Sequence, residues 1–137
     1  MPLVPFKDRF VPAVENGLAE LEGRPLPHPG VRPKRQTIRA ERRDGRDPQA
    51  GQTLYLYEKA RTPAMRKLGE ATCLKTMPIR IGKNATGRTV VLVGGGWPNR
   101  RNATLLARRD GFETDLELIA FIEEVHGLPF RGYAVRW

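Results

Sequence analysis

Apolar residues recur every four positions near the start of the chain, which is the spacing of one helix face. Phe6, Phe10 and Val14 follow this spacing and predict a helix over residues 7–16. Gly17 is predicted to end that helix, because glycine is common just past a helix C-terminus.

A second long helix is predicted near the end of the chain, where a capping signal precedes an apolar face. Thr114 and Glu117 have the spacing of a capping box, in which the threonine hydroxyl accepts the Glu117 amide. The helix is predicted to run to His126 and to stop at Gly127. A shorter helix is predicted over residues 104–109.

Alternating and continuous apolar runs predict the strands. Residues 53–57 alternate, so Leu54 and Leu56 are predicted to point inward. A helical turn is predicted over residues 65–68, and the proline-rich residues 18–33 are predicted to form an irregular loop. The other predicted strands lie within 34–39, over 70–81 with a bend at Pro78, over 89–93 and over 133–137.

This order of elements predicts an α+β fold, a small mixed β-barrel with about two main helices packed against it. A length of 137 residues suits a single domain, 1–137. No apolar run approaches the roughly 20 residues of a membrane span, and residues 1–7 lack a signal-peptide apolar region. Cys73 is the only cysteine, which excludes an internal disulfide and favours a cytoplasmic location.

The charge balance indicates an anionic partner. Twenty-four Lys and Arg against fifteen Asp and Glu give a net charge of +9. Such a field attracts polyanions, and arginine binds phosphate through two hydrogen bonds and stacks on bases. We therefore expect a nucleic-acid partner, RNA or DNA, and no membrane association.

The six residues 34–39 combine this charge with a hydroxyl group. Alternate side chains of a strand share a face, and Ile38 is predicted to be the core residue. Lys34 has the wrong parity for the opposite face, but Pro33 before it marks a strand start or a bulge. The alternative is a solvated basic edge strand. The face predicted to line a cleft carries Arg35, Thr37 and Arg39.

Candidate residues outside this stretch are mostly basic. Trp97 lies on a glycine loop and is predicted either to stack on a base or to anchor the loop. His28 and His126 lack ligand spacing, so no metal is expected, and the glycine loop lacks a phosphate-binding pattern, so no cofactor is expected. The further candidate nucleic-acid contacts are Arg61, Arg100 and Arg101.

Several short motifs follow one another in an order and spacing that resemble a known family. The motifs are Phe10 through Gly17, Lys34-x-x-Thr37-x-Arg39, Gly51-x-x-Leu54-Tyr55-Leu56-Tyr57, Arg61-Thr62, Asp110-Gly111-Phe112 and Gly132 through Trp137. Together they resemble an ASCH domain, a β-barrel superfamily related to the PUA domain of RNA-modifying enzymes. The Arg61-Thr62 and Arg109–Phe112 runs resemble its bacteriophage-type branch in particular.

The resemblance implies a cleft for RNA or a modified nucleoside, built around Lys34, Thr37, Arg39 and Asp110. One small bacterial branch of the family removes the acetyl group from N4-acetylcytidine with a lysine, a threonine and a glutamate. The first two map onto Lys34 and Thr37, and Asp110 stands at the glutamate position, one methylene shorter. An enzyme of this type would be an amidohydrolase acting on an N4-acylated cytidine, or have nuclease-like activity on RNA.

The chemistry of such a site depends on the environment of the lysine. A threonine hydroxyl attacks only after a base takes its proton, and Lys34 is that base only where burial or nearby cations lower its pKa. Asp110 would protonate the leaving amine, orient the substrate, pair with Lys34 or only shape its turn. The alternatives to catalysis are nucleoside binding alone and a protein-interaction module whose basic face meets an acidic partner.

Overall fold

The computed structural model describes residues 3–96 and 98–137. These residues form three α-helices, α1 (Val11–Leu21), α2 (Arg100–Arg109) and α3 (Asp115–His126), with a 3₁₀ turn over Asp8–Phe10. They also form seven strands: β1 (Leu3–Phe6), β2 (Gln36–Ala40), β3 (Thr53–Glu58), β4 (Arg66–Thr72), β5 (Lys75–Lys83), β6 (Thr89–Val93) and β7 (Phe130–Arg136). The predicted α+β class is confirmed.

The strands are divided between two sheets. One sheet has the order β1-β3-β4, in which β1 runs parallel to β3 and β4 runs antiparallel to it. The other has the order β2-β7-β5-β6, and all of its neighbours are antiparallel. In its register Thr37 lies opposite Val135 and Arg39 opposite Tyr133, so the last strand fixes the position of β2.

The core draws apolar side chains from both sheets and from all three helices. The alternation predicted for β3 is confirmed, because Leu54 and Leu56 are fully buried. Removing such side chains from water is the main favourable term in folding. The core also contains Val14, Ile79, Ile81, Leu106, Leu118, Ile122 and Val135.

The first helix does not stop at Gly17, as predicted, but continues to Leu21. A Cβ atom at residue 17 would lie 2.0 Å from the carbonyl oxygen of Lys34. The Lys34 amide also donates to the Ala13 carbonyl at 2.8 Å. Glycine therefore serves close packing of α1 against the chain at Lys34, and not termination.

The proline-rich loop begins later than predicted, because residues 18–21 belong to α1. Asn16, fully buried on that helix, holds the rest of the loop in place. Its Nδ2 donates to the carbonyls of His28 and Val31, both at 2.8 Å, and its Oδ1 accepts the His28 amide at 2.9 Å. The loop is thus tied to α1 shortly before the chain reaches Lys34.

Two predicted elements are wrong, and one strand was not predicted. Residues 65–68 form no helical turn, since β4 begins at Arg66. The predicted strand over 70–81 is two strands, because the chain crosses from one sheet to the other at Cys73 and Leu74. The strand β1 was not predicted, since it has only four residues, of which Val4 and Phe6 are buried.

The predicted capping of α3 is confirmed. The Thr114 hydroxyl accepts the Glu117 amide at 3.2 Å, and the Glu117 carboxylate accepts the Glu113 amide at 3.1 Å. Gly127 follows the helix with φ of 78°. Across residues 3–96 and 98–137 no helix has the length and apolar character of a membrane span.

Candidate functional site

A cleft of about 160 Å³ lies between β1, β2 and α3, and we call it the Lys34 cleft. Three aromatic side chains form its walls: Phe6, Phe10 and Phe121. Phe10 and Phe121 meet edge to face, with ring centroids 5.4 Å apart. The polar side chains of the cleft are Lys7, Lys34, Thr37, Arg39, Asp110 and His126. All four residues on which the sequence prediction centred therefore line one cavity.

Lys34 and Asp110 form a buried ion pair. The Lys34 Nζ lies 3.1 Å from Asp110 Oδ2, and the two residues are only 1% and 4% exposed. The ammonium also donates to the Asp110 carbonyl and lies 4.8 Å from the centroid of the Phe10 ring. Asp110 is the residue directly after α2, and both its carboxylate and its backbone carbonyl oxygen contact the Lys34 ammonium.

Burial moves the two pKa values of this pair toward each other. Desolvation lowers the pKa of Lys34, although the neighbouring Asp110 carboxylate opposes that change. Desolvation likewise raises the pKa of Asp110, against the effect of Lys34. Burial thus disfavours the charged form of both side chains. The Lys34 ammonium therefore releases its proton more readily than a lysine in water.

Gln36 supports the acidic half of the pair. Its Nε2 donates to Asp110 Oδ1 at 3.4 Å and to the Leu106 carbonyl at 3.1 Å. Its Oε1 accepts from Arg136 Nε at 3.3 Å. The face alternation placed Gln36 away from the cleft, and nothing in the sequence indicated that its side chain reaches a residue 74 positions later.

Thr37 and Arg39 form the second polar pair of the cleft. The Arg39 Nε donates to Thr37 Oγ1 at 3.1 Å, and its Nη2 donates to the Pro5 carbonyl. Its guanidinium lies 5.2 Å from the centroid of the Phe6 ring. Burial lowers the pKa of Arg39 to about 10, so this group is charged at neutral pH. The hydrogen bonds thus join Lys34 to Asp110 and Thr37 to Arg39.

His126 is a cleft residue that the sequence analysis did not select. Its pKa is lowered by burial first, and then by the positive charges of Arg39 and Lys7. The ring is therefore neutral at physiological pH and has a nitrogen able to accept a hydrogen bond. The sequence analysis placed it only at the end of the last predicted helix and in no site.

The remaining candidates lie elsewhere. Arg35 lies on a neighbouring groove, because regular strand geometry begins only at Gln36, so the predicted shared face with Thr37 is wrong. Arg61 is exposed in the turn after β3, with φ of 64°. Arg100 pairs with Asp115 through two contacts of 3.2 Å, and Arg101 is exposed on α2. Trp97 lies outside the described residues.

The polar lining of the cleft consists of one carboxylate, one hydroxyl, one imidazole and three cations. No group of three or more His, Cys, Asp or Glu suited to a metal ion occurs within 3–96 and 98–137. Comparisons with protein-family models, curated proteins and solved structures give no significant match. The chemistry of the site therefore has to be inferred from its own geometry.

Proposed function

We propose that the Lys34 cleft binds the base of a nucleoside, and that this chain is an ASCH-like domain for RNA or modified nucleosides. The observation that carries the proposal is the buried Lys34–Asp110 pair at the end of a cleft with aromatic walls. A buried ion pair contributes little to net stability compared with apolar packing. Its presence beside a cavity favours a binding role over a structural one.

The size of the cleft favours a single base. Pockets for larger ligands have volumes of about 300–1,000 Å³, and this cleft has about 160 Å³. Aromatic side chains in its wall suit a flat ring, because proteins that bind single-stranded RNA stack bases on such side chains. A flat heterocycle packed against these rings would meet the polar groups with its edge.

The polar groups match the edge of cytosine. Cytosine presents an amino group that carboxylates accept from, next to ring acceptors. Asp110 has acceptor capacity beyond its contacts with Lys34 and Gln36, because each carboxylate oxygen carries two lone pairs. The Thr37 hydroxyl and the Arg39 guanidinium are donors for the acceptor side. Uracil has no amino group for Asp110.

We expect free cytidine to bind at least about tenfold more tightly than uridine, since the cytosine amino group gains a hydrogen bond to a charged acceptor, worth about 1.5–3 kcal/mol, where uracil presents an oxygen. Binding should change little with salt, because a nucleoside has no phosphate. Titration calorimetry or NMR titration measures both. Arg39→Gln should weaken binding, whereas Arg61→Gln, on an exposed turn, should not. Equal affinity for uridine, or no binding by either nucleoside, would refute the proposal.

A second candidate function is hydrolysis of an N4-acylated cytidine, favoured by one observation. Lys34 is buried with a lowered pKa in the same cavity as Thr37, which is the environment that a lysine base requires. The threonine oxygen would attack the acyl carbon while its proton passes to Lys34. The C–N4 bond then breaks, N4 takes that proton from Lys34, and water releases the acid from the threonine ester.

We expect N4-acetylcytidine incubated with the protein to give equal amounts of cytidine and acetate, measured by chromatography. Thr37→Val removes the hydroxyl at nearly constant volume and should abolish turnover, whereas Thr37→Ser keeps the hydroxyl and should retain part of it. No cytidine, or equal turnover by the valine variant, would exclude the reaction and leave binding as the function.

A further inference from the structure

A second concave surface, separate from the Lys34 cleft, has a volume of about 640 Å³. We call it the arginine groove, because its cationic lining consists of Arg32, Arg35, Arg108, Arg109 and Arg136. Glu20 is the acidic residue of this lining. Five cations from three separate parts of the chain thus converge on one surface, which a solvated charge run would not explain.

Three of these arginines are not neutralised. Arg35 contacts Glu20 at 3.4 Å and Arg32 contacts Glu113 at 3.2 Å. In the described part of the chain, Arg108, Arg109 and Arg136 form no salt bridge; Arg108 donates only to the Glu113 carbonyl and Arg136 to Gln36. The pKa of Arg136 is lowered by burial and then by the charge of Arg109, so the two cations repel each other. An anion between them would relieve that repulsion.

The groove also has apolar surface among its cations. Leu74 is 61% exposed and Leu105 is 45% exposed, and both line the groove. Water-exposed leucines beside guanidinium groups suit a ligand with both flat apolar faces and negative charges. Single-stranded nucleic acid has that combination, whereas an acidic peptide offers charge without the flat rings.

We propose that the arginine groove binds the phosphate backbone of single-stranded nucleic acid. Arginine presents a planar fork that matches phosphate oxygens, and neutralising several phosphates provides most sequence-independent affinity. This site is distinct from the Lys34 cleft, and the proposal does not depend on the cleft binding a base.

The two sites are nevertheless linked. Arg35 follows Lys34 in the chain and Arg109 precedes Asp110, so these two groove arginines are each one residue from a cleft residue. Gln36 links the sites further, since it accepts from Arg136 of the groove and donates to Asp110 of the cleft. One hydrogen-bonded network therefore contacts both sites.

The test uses fluorescence anisotropy with a labelled short oligouridylate, an oligothymidylate and a duplex of the same length. The variant is Arg108→Gln/Arg109→Gln, both exposed and without salt bridges within the described residues. The matched control is Arg80→Gln/Arg88→Gln, two exposed arginines outside the groove with the same change in charge. We expect the groove variant to lose about tenfold in affinity, and its salt slope to fall by about 1.4 for two lost phosphate contacts. The control should keep the wild-type slope.

Three outcomes would overturn the proposal. One is an equal loss in both variants, which would mean that only net charge matters. Another is tighter binding of the duplex than of either single strand. The third is a polyglutamate peptide that binds as tightly as the oligouridylate and depends on the same two arginines. Free cytidine binding, measured separately, should be unchanged in the groove variant, so failure of either site is recognised independently.

Discussion

Replacing Asp110 by Asn is expected to destabilise the protein by about 3–5 kcal/mol at pH 7, a large part of the stability of a typical domain. The reason is that Lys34, 1% exposed, would lose the carboxylate 3.1 Å from its Nζ and remain as an uncompensated buried cation. The variant keeps a side-chain oxygen for Gln36, so the change removes charge and little else. Urea denaturation gives the difference in the free energy of unfolding.

The same variant should become more stable as the pH rises. In the wild type, the pair holds one proton in the folded state, and the unfolded chain, with a charged lysine and an ionised aspartate, also holds one. Without Asp110, which raises the pKa of Lys34, the folded pKa of the lysine falls further below its unfolded value of about 10.4. Between these two values the unfolded chain binds one more proton, so stability increases by up to about 1.4 kcal/mol per pH unit.

The control for this prediction is Lys34→Met/Asp110→Asn, which removes both charges at similar volume. Buried ion pairs are often replaced by uncharged residues at little cost, so we expect the double variant to recover at least half of the loss and to show no such pH dependence. A double variant as unstable as Asp110→Asn, or a single variant whose stability is constant between pH 7 and 9, would mean that the pair is not coupled.

The composition of the Lys34 cleft could be predicted from sequence to a useful extent. Thr37 and Arg39 share a strand face by simple alternation, and both line the cleft. Asp110 was identified as a site residue from the family resemblance of its motif, since no local pattern indicated it. The structure brings it to Lys34 across 76 residues of sequence.

The partners of these side chains could not be predicted. The catalytic hypothesis needs Lys34 beside Thr37, but the hydrogen bond of Thr37 is with Arg39 and that of Lys34 is with Asp110. Which of several polar groups pair inside a cavity depends on distances set by tertiary packing. Strand parity failed at Arg35 for a related reason, since the backbone is not yet a regular strand there.

The aromatic wall of the cleft could not be predicted from the sequence either. The spacing of Phe6 and Phe10 predicted one helix face, yet Phe6 belongs to β1 and Phe10 to the 3₁₀ turn before α1. Both side chains are buried, as an apolar pattern predicts. A periodicity of four thus indicated the correct residues for burial and the wrong element for one of them.

The second large effect is expected for Gly17→Ala, where helix propensity predicts a gain in stability and packing predicts a loss. Gly17 lies inside α1, and alanine in a helix interior is favoured over glycine by about 1 kcal/mol. A Cβ atom there would lie 2.0 Å from the Lys34 carbonyl oxygen and 2.8 Å from its carbon. Those are backbone atoms, which cannot rotate away, so α1 and the Lys34 segment must separate.

We therefore expect Gly17→Ala to destabilise the protein by about 1–3 kcal/mol, since overpacking costs about 1–3 kcal/mol, and a strained Lys34–Ala13 hydrogen bond costs about 1 kcal/mol, which cancels the gain in helix propensity. The matched control is Gly82→Ala in β5, where the new Cβ would meet only Pro129 at 3.5 Å, and we expect it to lie within about 1 kcal/mol of the wild type. Thermal and urea denaturation measure both variants. A Gly17→Ala protein stabilised by its better propensity would show that α1 does not hold the Lys34 segment against the cleft. A destabilised but folded variant that also loses nucleoside binding would show that this contact positions Lys34 for its pairing with Asp110.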